Sequence, residues 1–507
     1  MGFEIKANKT GMSSATPKRL VLAASIVALF CGFTAPVYSA DMETLLDKLR
    51  EKGILSEEEY QEMRTEARAE RRQMALEKAK EEEKKTKKAE SAPSELTGRF
   101  KDGFSWESGD KQHSIGLAGR IQADYRTFSD ASGSLTTPIA PAQANSADTF
   151  DIRRAYLGVY GKLYDDWTFE VVADFAQSTN VLDVAWINYG RWKPVQFRIG
   201  QFKMPFSLEE NTSSRFIDFQ ERGMLNALVP GKERGFMVHG SPTTGLYYGV
   251  ALSNGQGKNN NEPNAAVDDK DYIGRLAANF AEMIGNKDMI LHLGAAYTQG
   301  TLPVAAAPSG RTEARGLTFF IPAAFTGIGA TGIQEMDRKR KGAELALAWK
   351  QFKLQSEWVT NKFSGTSNGG VAFDPEIDSY YAYINWLISG EKYADAYGGG
   401  VFRAIKPNQP FKKGTDGWGW GAWELGVRYS VWDAGDFATT NAAGTGVLTA
   451  GTTNKAKAFT VGLIWIPNTN TRVYLNYIKT DFDTPAAVVG GTVTDEKAIT
   501  LRTGVFF

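Results

Sequence analysis

From about residue 113 to the C-terminus, apolar and polar residues alternate with a period of two, and little else shapes a chain so strongly. Ile115, Leu117, Gly119, Ile121 and Ala123 interleave with Gly116, Ala118, Arg120, Gln122 and Asp124. Trp423, Leu425, Val427, Tyr429 and Val431 interleave with Glu424, Gly426, Arg428 and Ser430. A period of two puts the two sets on opposite faces of a β-strand. Sixteen such segments start near residues 113, 150, 166, 183, 194, 234, 245, 269, 288, 341, 352, 377, 421, 456, 471 and 496. Tight turns fall at Leu163–Asp166, Trp192–Pro194, Ser241–Gly245, Lys350–Gln351 and Pro467–Asn470. Long polar connections fall at 128–149, 203–233, 254–268, 300–340, 433–455 and 481–495. The stretch 391–419 is long but falls on the tight-turn side, which leaves room for one further strand.

The N-terminus sets the compartment. Lys6, Lys9, Lys18 and Arg19 precede an apolar run from Leu20 to Phe33, and small residues follow near Ser39 and Ala40. That order is a secretory signal, and residues 1–39 are read as a cleaved signal peptide. Cys31, the only cysteine, lies inside it, so the mature chain has no disulfide or thiolate metal site to explain. The segment carries four Lys/Arg and one acid, which leaves 54 basic against 57 acidic residues, a net charge of −3. That balance names no nucleic-acid partner.

Residues 40–92 read as a charged helical segment. Leu45, Leu46 and Leu49 make an apolar face, Gly53 is a stop, and Ser56 with Glu59 restarts a helix as a capping box. Its thin apolar content fits either a short trimerising coiled coil or a solvated helical tether, on the periplasmic side. Residues 93–112 are the linker, and 113–507 the barrel domain.

A secreted chain with two-faced strands, 52 glycines, 12% aromatics and negative mean hydropathy is expected to span the outer membrane as strands, not helices. The last strand supports this: Leu501, Thr503, Val505 and terminal Phe507 alternate with Arg502, Gly504 and Phe506, as in the assembly signal of outer-membrane barrels. The fold class is thus all-β, a transmembrane antiparallel β-barrel of sixteen strands in bacterial outer-membrane lipid. His113, His239 and His292 form no metal-spaced pair, and no nucleophile elbow or phosphate loop occurs. No enzyme, metal or cofactor is expected.

The stretches GRIQADY (119–125), DIRRAYLGVYGKLYDDW (151–167), LDVAWINY (182–189) and FRIGQFKMPFSLEENTSSR (197–215) resemble the phosphate-selective porin O/P family, with weaker similarity to the C-terminus. The resemblance implies a homotrimeric sixteen-stranded channel, a third loop folded into the lumen, and arginines that lead small anions to a narrow zone. Residues 40–92 lie outside it. Phosphate-selective members carry a lysine directly after the Leu-Glu of the third loop, where this chain has Glu210 after Leu208-Glu209. An acid there repels phosphate and argues against strict phosphate selectivity. Lys362 fits a second basic position of the family, Asp378 falls near a third, and Asp183 matches its luminal aspartate.

Parity assigns Arg120, Arg154, Arg198, Arg275, Arg428 and Arg502 to the face opposite the apolar set, together with Asp124, Glu170, Asp174, Glu344, Glu357 and Glu424. Arg153 and Arg154 cannot both face the lumen in a regular strand; Arg154 is the better pore residue, while the resemblance allows both on an arginine path. Loop 203–233 is the expected constriction, with Lys203, Glu209, Glu210, Arg215, Asp218, Glu221, Arg222 and Lys232, and Arg234 just after. An anion-preferring porin is the leading expectation. A weakly selective porin, or a barrel that anchors the outer membrane through residues 40–92, are the alternatives.

Overall fold

The computed structural model describes residues 96–507 apart from 101–102, 130–145, 178, 180, 261–269, 304–307, 323–334, 367–371, 415–416, 438–447 and 490, and fourteen residues between Arg50 and Lys80. The chain divides into two compact units, residues 1–92 and 93–507. In the first, the described residues are helical except at Lys52 and Ser56, on either side of Gly53, and the Tyr60 amide donates to the Ser56 carbonyl at 2.9 Å. The proposed signal peptide lies outside the described residues.

The second unit is one antiparallel meander closed on itself. Its strands are β1 (Ser114–Ser129), β2 (Thr149–Leu163), β3 (Trp167–Asp174), β4 (Leu182–Trp192), β5 (Val195–Lys203), β6 (Lys232–Gly240), β7 (Leu246–Ser253) and β8 (Asp271–Asn279). They continue as β9 (Met289–Pro303), β10 (Glu335–Trp349), β11 (Phe352–Thr366), β12 (Glu376–Leu387), β13 (Ala422–Asp433), β14 (Lys455–Asn468), β15 (Thr471–Val488) and β16 (Gly491–Phe506). Each strand pairs with the next, and β16 pairs with β1 from Lys497↔Ser129 to Phe506↔Arg120, which closes the barrel. Closure leaves no barrel edge with unpaired backbone groups to face lipid.

The period-two pattern becomes an outside and an inside. Outward apolar side chains such as Ile384, Leu425, Val427, Leu475 and Ile499 are exposed on the outer wall. Aromatic residues bound this apolar belt at both ends. Trp349, Phe352 and Trp386 ring the short-turn end, and Tyr297, Trp358, Tyr380, Tyr429, Phe459 and Tyr477 ring the loop end. Amphipathic rings favour the two interfaces of a bilayer.

The barrel is sealed by its last residue. Phe507 exchanges two backbone hydrogen bonds with Gly119, at 2.6 and 3.0 Å. A Cβ on Gly119 would lie 2.2 Å from the Phe507 ring, so only glycine leaves the ring its seat. The hairpin Leu96–Phe100/Phe104–Ser108 pairs with the lower part of β1, beyond the end of β16.

Two connections differ from the sequence expectation. Residues 481–495 are no polar loop: β15 and β16 continue to Val488 and Gly491 as a long hairpin. The stretch 391–419 holds no further barrel strand. It carries two small hairpins, Tyr397–Gly398/Val401–Phe402 and Lys413–Gly414/Gly417–Trp418, and buries Tyr393, Ala396, Phe402 and Ile405 among inward residues of β9–β15.

Candidate functional site: a channel along one side of the lumen

Three connections fill much of the barrel. In the loop 204–231, Phe206, Phe219, Met224, Leu225 and Leu228 pack on inward residues of β10–β13, including Met336, Val359, Tyr381, Tyr383 and Trp432. Helix α1 (Leu208–Asn211) starts at Ser207, whose side chain accepts from the Glu210 amide at 3.1 Å. The amides of Leu208 and Glu209 donate to the Glu357 carboxylate of β11 at 2.9 and 2.7 Å. A carboxylate at free helix amides is a favourable latch. Lys353 and Tyr383 hold Asp218 at 2.6 Å each. Residues 308–322 add Glu313, which accepts from Arg428, Ser430 and Thr460.

Open space remains along the other wall, and a second cavity of about 230 Å³ is lined by Pro230, Glu233, Arg338, Arg340 and Asn361. A cavity of about 630 Å³ is bounded by β1–β8, the loop 204–231 and Gly399–Val401. Arg120, Arg198, Lys203, Arg215, Lys232 and Arg275 line it, against only two acids, Glu170 and Asp183. The Arg120 guanidinium donates to Ser214 Oγ at 2.6 Å and lies 4.0 Å from the Tyr156 ring centroid. Lys232 pairs with Asp183 at 2.6 Å, and Arg275 with Glu344 at 2.7 Å. Arg215 lies near its neighbour Phe216, 5.3 Å from the ring centroid. The Arg198 guanidinium carbon lies over Trp186, 4.3 Å from the ring centroid.

The two adjacent arginines both turn inward. The ladder reads Gln122↔Arg154 and then Ala123↔Ile152, so Arg153 is the extra residue of a β-bulge. Arg154 donates to Gln122 at 3.0 Å, while Arg153 forks onto Glu221 of the third loop at 2.7 and 3.3 Å. The strand is not regular here, and the slip supplies the second inward position that strict alternation lacks. Asp183 sits on a similar slip, between Val172↔Val184 and Ala173↔Leu182.

Other expected pore residues stand elsewhere. Lys362 shares the outward parity of Phe352 and Trp358 and pairs with Asp374 at 2.7 Å, so it is a rim residue outside the lumen. Asp378 is outward too, two residues before the exposed Tyr380. Arg234 falls opposite Gln201 with the parity of exposed Phe236, on the outer face of β6. Arg428 and Arg502 are inward but buried in anchoring pairs with Glu313 and with Asp124 and Glu221. Arg222 is turned into its own loop, donating to the carbonyls of Glu209, Glu210 and Thr212.

Glu210 is the main correction. It does not line the cavity. Its carboxylate is buried between Arg222 at 3.3 Å and Lys203 at 3.7 Å. Burial pushes its carboxyl up, but Arg222 and Lys203 outweigh that and hold it below the usual carboxylate range. The acid thus pairs with Arg222 of the loop and Lys203 at the end of β5 instead of facing the cavity.

The sequence reading did not name Arg126, Arg311 and Arg315 as pore residues. Arg126 is an inward residue of β1 held by Asp124 and Asp151, and Arg311 and Arg315 belong to the connection between β9 and β10. The alternation of β1 does place Arg126 inward, in step with Arg120.

A family model described as phosphate-selective porin O and P matches residues 115–507, which is every strand of the barrel. The chain belongs to this family. Porin O of Pseudomonas aeruginosa is 26% identical over 412 residues, covering 76% of this chain and 87% of that protein. Among solved structures, an anion-selective porin from Comamonas acidovorans has a TM-score of 0.47 at 12% identity, covering 78% of this chain and 100% of its own. The outer-membrane channel DcaP of Acinetobacter baumannii has a TM-score of 0.45 at 12% identity, over 78% and 97% of the two chains. The molecule is an outer-membrane porin.

Proposed function

We propose that this porin passes small anions along the β1–β8 side of its lumen, and that Arg120, Arg215 and Lys232 form the narrow zone with Arg153 and Arg154 above it. The cations on the cavity lining carry this reading: of six, Lys203, Lys232 and Arg275 pair with Glu210, Asp183 and Glu344, while Arg120 and Arg198 make no ion pair among the described residues. In a confined channel such uncompensated charge raises the local anion concentration. Arg120 is the sharpest element, because its partner Ser214 is neutral and its charge stays uncompensated by any ion pair among the described residues. Glu210 is turned away from the lining and acts on it only by pairing with Lys203.

The same reading includes a homotrimer. Strands β3–β8 have 8 to 11 residues, whereas the other strands have 12 to 18. A low wall on one side fits a subunit sheltered there by its neighbours. Residues 1–39 are the cleaved signal, and residues 40–92 an arm on the periplasmic side.

The test is the zero-current potential of purified porin in a planar bilayer under a KCl gradient. The sign should report chloride preference, and Arg120→Ala should reduce it. The effect should be larger in dilute salt, since screening shortens to about 3 Å at 1 M. A wild-type potential of cation-preferring sign would reject the reading.

A further inference from the structure

We propose that the half of the cavity nearer the short turns holds a subsite for small organic monocarboxylates with a flat apolar body, built on Arg198 and Trp186. The inference rests on the channel reading above and adds the class of solute.

Most inward arginines of the barrel are already compensated by a carboxylate: Arg275 by Glu344, Arg428 by Glu313, Arg502 by Asp124. Arg198 is different. Among the described residues it makes no ion pair, and its buried Nε has no hydrogen-bond partner. An unsatisfied buried N–H beside a charged fork is costly unless an acceptor arrives. Its guanidinium is held in place by aromatic rings, 4.3 Å from the Trp186 centroid and 5.8 Å from that of Phe202. A guanidinium over a ring face can keep an in-plane edge free, and such an edge matches the two oxygens of a carboxylate.

The surroundings select the rest of the solute. Trp186 has the inward parity of β4, where a water-filled passage has no need of an indole, and its Nε1–H donates to Glu170 at 3.1 Å. Phe202, Met237 and Tyr247 continue the apolar surface around Arg198 on the same cavity lining. A carboxylate on the Arg198 edge would lay its body against these side chains. Glu170 carries a negative charge a short way from that edge, which repels a dianion more than a monoanion. It also keeps binding weak enough for release, as passage requires.

The test uses the full mature porin in planar bilayers, with chloride current titrated by benzoate, acetate and inorganic phosphate. In the wild type, benzoate should half-block the current at a lower concentration than acetate. Arg198→Ala should raise the half-blocking concentration of benzoate roughly tenfold, the loss of a charge-assisted pair. Trp186→Ala should bring benzoate to the level of acetate. Equal block by benzoate and acetate in the wild type would overturn the subsite, whether or not the variants fold. So would an Arg198→Ala channel that benzoate blocks as before. The zero-current potential of the same membranes separates the two claims. Anion preference without discrimination of benzoate removes the subsite alone, and absence of anion preference removes both.

Discussion

Arg153 and Arg154 are neighbours in sequence, and both reach the lumen because the ladder between β1 and β2 slips by one residue between them. Strict alternation cannot foresee such a slip, since the bulge costs one register step and shows no glycine or proline to mark it. Glu210 teaches the converse. Its place in the sequence suggested an acid in the path of anions, but its charge is spent on Lys203 and Arg222. Glu210→Lys should therefore disrupt the loop by like-charge crowding before it alters selectivity. Glu210→Gln leaves two cations short of a partner and should lower the unfolding free energy by about 1–3 kcal/mol at pH 7. The sign with pH follows from the depressed carboxyl. Its contribution is complete above the unfolded value near ~4.3 and is lost as pH falls through the folded value. Urea unfolding of the two detergent-folded proteins should differ at pH 7 and converge in acid. A gap that persists at low pH would contradict the pairing.

At the scale of elements, the third loop is latched to the wall. Glu357 of β11 accepts from two free amides at the start of α1, and Tyr381 donates to the same carboxylate at 2.6 Å. Glu357→Ala should release the loop's helical turn, raise the open-channel noise and enlarge the single-channel step; a trace identical to wild type would show that the loop is held elsewhere. The strands themselves were legible, because each burial pattern has the period of its apolar residues: fourteen of the sixteen starts fall within two residues of the expected positions, and the longer β10 and β16 start six and five residues early. The internal loops were less so. Their signal lies in apolar residues at luminal parity, such as Ile377, Tyr381 and Tyr383 on β12, which would be costly in a wet channel and are covered by the loop 204–231. The helical arm is a separate prediction. Deletion of residues 41–92 should leave a barrel that folds in detergent and conducts, since the closing pairs run between β16 and β1. Failure of the truncated barrel to insert would make the arm part of the fold.

For the whole molecule, the proposed route runs along one wall and the packed loops support the other. The loop 204–231, the segment 308–322 and the stretch 391–406 pack against β9–β16, and their charges are consumed in pairs such as Arg428–Glu313 and Lys353–Asp218. Six cations face the cavity of about 630 Å³ on β1–β8 and the near side of the third loop, whereas Arg338 and Arg340 of β10, on a second cavity of about 230 Å³, are paired with Asp271. Pairing of strands follows from local pattern and chain order, but this asymmetry arises from contacts between residues more than a hundred positions apart, so the sequence pattern could name the luminal arginines without sorting the conducting ones from the anchors. Single cysteines test that division directly, because Cys31, the only native one, lies in the segment assigned to the cleaved signal. Val172 lines the cavity, and Thr460 lies on the filled side, buried against Glu313. A charged thiol reagent should cut the current through Val172→Cys and leave that through Thr460→Cys unchanged. Block at Thr460→Cys with none at Val172→Cys would put the route on the opposite wall and contradict the account.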